Sequence, residues 1–117
     1  MARKLFIQLG ICITILSLLP GSCLPPQTFY IWDKAQHAGA FLLLSLIALY
    51  AFPKKTGAVI GGMLLYGAAI EVAQSATGWR YGDWHDLLAD AVGIVVGFAV
   101  WWLCKRFDSI RKESISQ

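Results

Sequence analysis

Apolar residues run along this chain in long blocks, without the two-residue alternation of a half-buried strand or the regular polar face of a surface helix. Four blocks stand out: Leu5 to Leu24, Asp33 to Phe52, Gly57 to Thr77 and Asp86 to Cys104. Each holds about 20 residues, the length that carries a helix across a hydrocarbon layer of roughly 30 Å. The breaks between them are turn-forming. Pro20-Gly21 and Pro25-Pro26 close the first block, Pro53-Lys54-Lys55 separates the second from the third, and Gly78 to Gly82 opens the last loop. The pattern predicts an all-α polytopic membrane protein, a bundle of four transmembrane helices over residues 1–106, followed by a polar tail over 107–117. The loops are too short for a second soluble domain, and there is no internal repeat or low-complexity tract.

Composition agrees. Hydrophobic residues make up 57% of the 117 and charged residues 15%, against roughly 45–50% and 25% in soluble domains. That excludes an ordinary soluble domain, a disordered tail and a disulfide scaffold. The net charge of +3 does not indicate a nucleic-acid partner, because the basic residues form short clusters between the apolar blocks. Those clusters predict orientation instead, since short cytoplasmic loops are enriched in Lys and Arg. With both termini inside, the cytoplasmic side carries Arg3, Lys4, Lys54, Lys55, Lys105, Arg106, Arg111 and Lys112, and the outer side only Lys34 and Arg80. Interfacial aromatics follow: Tyr30, Trp32, Trp79, Tyr81 and Trp84 at the outer ends, and Tyr50, Phe52, Trp101 and Trp102 at the inner ends. A rival for the first block is a secretory signal ending at a lipidated Cys23, but Pro20 stands where such a site usually has leucine, so an uncleaved first helix is expected. Cys12, Cys23 and Cys104 fall at different depths and form no disulfide framework.

The acidic residues are placed unevenly. Asp33, Glu71, Asp83, Asp86 and Asp90 all belong to the outer side or lie just inside it. At about 1.5 Å per residue, His37 and Asp90 lie roughly 6 Å below the outer ends of their spans, and Glu71 about 9 Å, with Gln74 a turn shallower. Three helices therefore bring polar side chains to nearly one level. Asp33 and His37, Glu71 and Gln74, and Asp86 and Asp90 each share a helix face by their spacing. The face of Asp90 continues as Gly93 and Gly97, a GxxxG step that lets a neighbouring helix approach closely, and Gly57, Gly61, Gly62 and Gly67 punctuate the third span. Ionisable groups at that depth cost several kcal/mol unless paired, which makes them functional candidates.

In order along the chain, Asp33-Lys34-Ala35-Gln36-His37, Glu71-Val72-Ala73-Gln74, Arg80-Tyr81-Gly82-Asp83-Trp84-His85-Asp86 and Asp90-Ala91-Val92-Gly93 resemble the VanZ-like family. These are small bacterial membrane proteins named for a member linked to teicoplanin resistance. The resemblance covers roughly residues 15–100. It implies a multi-pass protein of the bacterial inner membrane working at the cell envelope, and leaves the reaction open. The position of Asp90 is commonly asparagine in that family, so the carboxylate here is a departure.

Three readings follow for the polar layer. In the first, a membrane-embedded enzyme acts on an envelope lipid or phosphate-bearing substrate. Glu71 or Asp86 is its base, His37 its acid or base, and Lys34 with Arg80 an anion clamp, with Gln74, Asp33, Asp83 and Asp90 completing the substrate site. In the second, an accessory protein binds such a lipid without chemistry. In the third, the layer fixes helix register in a partner subunit, although interhelical hydrogen bonds average only about 0.6 kcal/mol. More local roles compete: Asp33 or Asp86 as N-cap, His85 as a solvated loop histidine, and Arg80 paired with Asp83 or Asp86. No cofactor is expected. A divalent metal held by His37, Glu71, Asp86 and Asp90 is a side branch, because no HExxH-type spacing is present. A proton-coupled transporter is disfavoured by the small size and the lack of an inverted repeat. The expected surroundings are the lipid bilayer and an envelope lipid, without nucleic acid, with homo-oligomers available through the glycine steps.

Overall fold

The computed structural model describes residues 1–23 and 30–116. Leu24, Pro25-Pro26, the side chains of Tyr30 and Trp32, and Gln117 lie outside the described residues. Those that are described form four α-helices: α1 (Ala2–Leu18), α2 (Tyr30–Ala51), α3 (Thr56–Thr77) and α4 (Trp84–Ile115), with a short 3-10 turn at Gly21–Cys23. Within α2 from Asp33 to Ala51, and in all of α3 and α4, the chain is long and apolar enough to cross a membrane. The 17 residues of α1 reach about 26 Å, and Pro20, with no N–H to donate, follows its end closely.

Local chemistry sets the other boundaries. Gly78 ends α3 with φ 79°, a left-handed cap that glycine adopts without a Cβ penalty. Asp83 begins α4 as its N-cap and accepts a hydrogen bond from the His85 backbone N–H. Asp86, a candidate for that cap, lies inside the first turn. Asp33 is likewise not an N-cap, because α2 starts three residues earlier at Tyr30. The segment expected as a polar tail continues α4 as helix to Ile115. The full helix of 32 residues is about 48 Å long, well beyond the roughly 30 Å of a hydrocarbon core.

Partners fix the topology. Phe6 of α1 meets Phe52 at the far end of α2, so those two run antiparallel. Thr14 meets Tyr66, and Ser17 meets Gln74, so α1 and α3 run parallel. Between α2 and α4, Lys34 meets Asp86 and His37 meets Asp90, while Lys105 sits over Tyr50. These two are therefore parallel neighbours, and the chain runs up, down, up, down. The glycine step of α4 brings this pair together. A Cβ at Gly93 would overlap the Ala38 carbonyl oxygen, and one at Gly97 would lie 2.8 Å from the Leu42 carbonyl oxygen. The α4 backbone thus rests directly on that of α2, and Gly93 and Gly97 are occupied within the chain. Gly57, Gly61 and Gly62 of α3 face open space.

The core lies mainly on α2, where Phe41, Leu44, Ala48 and Leu49 meet Val59, Met63 and Ile70 of α3, Ile94 of α4 and Ile13 of α1. Leu65, Val72, Val92 and Val95 point outward and are more than half exposed. Such outward apolar faces suit lipid rather than water. One end of the bundle is basic, with Arg3 stacked over Phe52 and Arg106 over Trp102. The other end is acidic.

Candidate functional site

The acidic end is built by α2, α4 and the end of α3. Lys34 and His37 are three apart on α2 and face the first two turns of the parallel α4. The Lys34 ammonium pairs with Asp86 and, at 3.1 Å, with Asp83. One turn deeper, His37 Nδ1 lies 3.0 Å from Asp90 Oδ1, and Nε2 lies 3.8 Å from Asp86 Oδ2. Asp86 is 5% exposed and Asp90 is fully buried. A charge this deep needs a partner, and α2 supplies both partners in register with the two aspartates.

Glu71 enters from α3. Its Oε2 accepts a hydrogen bond from the Asp83 backbone N–H at 2.7 Å, which ties the α3–α4 loop to the site. Gly82 permits that approach: a Cβ there would overlap Ser75 Oγ and crowd the Glu71 carbonyl oxygen. Gly67, one turn before Glu71, leaves room for Asp90, since a Cβ there would stand 2.9 Å from Asp90 Oδ2. Two buried carboxylate oxygens, Glu71 Oε1 and Asp90 Oδ2, have no hydrogen-bond partner among the described residues. Each such oxygen costs about 1–3 kcal/mol if nothing satisfies it. Side-chain ligand atoms of His37, Glu71 and Asp90 lie within 4.8 Å of one another, and so do those of Asp33, His37 and Asp86.

Seven residues singled out in the sequence thus come together: Asp33, Lys34, His37, Glu71, Asp83, Asp86 and Asp90. Two do not join them. Gln74 turns to α1, where its side-chain N–H donates to the Ser17 carbonyl at 3.0 Å. Arg80 forms no ion pair with Asp83 or Asp86; Lys34 takes that place, and the Arg80 backbone N–H donates to Thr77 Oγ1. Lys34 is therefore engaged by carboxylates. His85 is exposed, as expected, but lies in the first turn of α4 rather than in the loop, and its Nδ1 lies 2.8 Å from Asp83 Oδ1.

Other polar ties were not anticipated. Tyr66 donates to the Gly10 carbonyl at 2.8 Å and lies 2.7 Å from Thr14 Oγ1, which locks α1 against α3. The Trp79 indole N–H donates to the Leu18 carbonyl at 3.0 Å. Their one signal in the sequence was that a mid-span tyrosine must find a partner for its hydroxyl.

Membrane-length helices around a buried cluster of carboxylates, histidine and lysine define a small polytopic membrane protein with a polar site at one end. The model of the VanZ/LLP1 family matches residues 8–105, from the first helix into the fourth. The chain belongs to that family, in agreement with the motifs at Asp33, Glu71, Arg80 and Asp90. No curated protein and no solved structure matches it.

Proposed function

We propose that this chain is a four-span inner-membrane protein with both termini cytoplasmic, and that its acidic end faces the outer leaflet and binds or acts on a phosphate-bearing cell-envelope lipid. The observation that carries this reading is the convergence of Lys34, His37, Glu71, Asp86 and Asp90 from three helices at one level, with buried carboxylate oxygens left unsatisfied. Helix register alone does not require such oxygens. Membership of the VanZ/LLP1 family, whose namesake is linked to teicoplanin resistance, supports an envelope role. The gathering of basic residues at the opposite end supports the orientation. In this reading Arg80, half-buried on the loop that leads into Asp83, is the residue that meets the phosphate bidentately. Glu71, His37 and Asp86 are the groups able to move a proton.

A second reading has its own support. Lys34 with Asp83 and Asp86, and His37 with Asp90, neutralise one another inside the bundle, as in a layer that sets register for a partner subunit. Native mass spectrometry in mild detergent separates the two. The first predicts a co-purifying phosphate-bearing lipid on the wild type that is lost from Arg80→Lys, in which the charge stays and the fork goes. A bare wild-type chain refutes the first reading and favours the second.

A further inference from the structure

The acidic end holds five carboxylates, Asp33, Glu71, Asp83, Asp86 and Asp90, against two permanent cations, Lys34 within the cluster and Arg80 on the loop before Asp83, and the titratable His37 and His85. A phosphate brought into that cluster would meet like charge. Arg80 can meet it at the rim, but drawing it down to the buried carboxylates needs a further positive charge. The geometry shows where an added charge would sit.

We propose that His37, Glu71 and Asp90 bind a divalent transition-metal ion, zinc or manganese, on the side of the cluster away from Lys34. Two carboxylate oxygens that find no partner among the described residues, Glu71 Oε1 and Asp90 Oδ2, belong to two of these residues, which are 9% and 0% exposed. Asp90 Oδ2 points at Gly67, on the same face of α3 as Glu71 one turn later. The donor atoms of the three residues lie within 4.8 Å of one another. Two ligands at about 2.0–2.2 Å from one tetrahedral ion stand roughly 3.4 Å apart, so side-chain adjustments of about 1 Å close the site.

The surroundings favour this trio over Asp33, His37 and Asp86. Asp86 already pairs with the Lys34 ammonium, which would repel a cation placed beside it. With the ion on the Glu71 and Asp90 side, His37 Nδ1, now 3.0 Å from Asp90, becomes the ligand. Nε2–H then faces Asp86 Oδ2, the carboxylate behind histidine that commonly orients a metal-bound imidazole. One imidazole and two carboxylates suit zinc or manganese better than calcium, which prefers oxygen alone. Three protein ligands leave a coordination position open, and through it the ion would hold the phosphate of the proposed lipid. That last step rests on the proposed function; the metal centre does not.

The full-length protein, purified in mild detergent and stripped with EDTA, is titrated with zinc and separately with manganese, without added lipid. Bound metal is counted by inductively coupled plasma mass spectrometry, and the thermal midpoint is followed alongside. One ion per chain and a raised midpoint are expected for at least one of the two metals. Binding should be weaker by at least about tenfold in Glu71→Gln and in Asp90→Asn, and retained in Asp33→Asn. Wild type that takes up neither ion and shows no shift overturns the proposal without recourse to any variant. So does uptake that survives Glu71→Gln but fails in Asp33→Asn. Metal binding by a chain that never retains lipid phosphate upholds the centre and refutes the proposed function. Lipid retention without metal does the reverse.

Discussion

Replacing Gly93 with alanine adds one methyl group at the contact of two parallel helices, and the structure gives the sign of the effect. The new Cβ would overlap the Ala38 carbonyl oxygen and stand 2.9 Å from the Leu42 nitrogen, where ordinary contact begins at 3.4 Å. To relieve Leu42 alone, α2 and α4 must part by about 0.5 Å, and backbone atoms cannot turn aside as a side chain can. Overpacking of this kind costs about 1–3 kcal/mol. Against it stands the better helix propensity of alanine, worth about 1 kcal/mol. Gly61→Ala receives that gain without the clash, because nothing lies within 4 Å of its Cβ. The difference between the two variants isolates the overpacking cost, so Gly93→Ala should be less stable than Gly61→Ala by about 1–3 kcal/mol. Thermal midpoints and denaturation in mild detergent measure it. Because His37 and Asp90 flank this contact, the wedge should also weaken any ligand held there. If Gly93→Ala melts at or above Gly61→Ala, the helices are not in backbone contact and the parallel α2–α4 packing is refuted.

Other outcomes follow from the same geometry. Lys34→Met removes the ammonium shared by Asp83 and Asp86 and should destabilise by about 3–5 kcal/mol; adding Asp86→Asn should restore part of the loss, and a double variant as unstable as the sum of the singles would deny the coupling. Asp83→Ala loses the cap of α4, worth about 1 kcal/mol, in addition to its share of the Lys34 pair; Asp83→Asn should keep the cap, and equal melting of the two variants would refute that assignment. Trp79→Phe deletes the indole bond to Leu18, a net loss of about 0.5–1.5 kcal/mol, and should speed proteolysis after α1. Glu71→Gln and Asp86→Asn should each accumulate in the membrane yet fail to retain the phosphate-bearing lipid expected on the wild type in native mass spectrometry; unimpaired lipid retention by both would remove them as ligands.

Much of this architecture could be read from the residues. The apolar blocks placed the helices, and the helix rise placed His37, Glu71 and Asp90 at one level. The Gly93 and Gly97 step announced a close helix contact. Spacing along one helix says which residues share its face, but not which neighbour that face meets. The partner of the glycine step could therefore not be read, and neither could the pairing of Lys34 with Asp86 across 52 residues. Proximity in sequence made Arg80 one candidate for the pairs with Asp83 and Asp86 that Lys34 makes. Lys34 reaches Asp83 and Asp86 only because α2 and α4 run side by side in the same direction. The caps shifted for a related reason: Asp33 and Asp86 both lie inside their helices, and Asp86, which resembled a local cap, is instead the long-range partner of Lys34. Gln74 shares a face with Glu71, yet the Ser17 carbonyl of α1 draws it away.

The pairing of the second helix with the fourth also sets an order of events at synthesis. Lys34 and His37 leave the ribosome about 50 residues ahead of Asp86 and Asp90, their counter-charges. At roughly 5–20 residues per second, that interval is on the order of 3–10 s. During it the half-made chain presents a cation and an imidazole near the membrane surface with their partners still untranslated. The charge pairs of the second helix are therefore completed only once the fourth has been made.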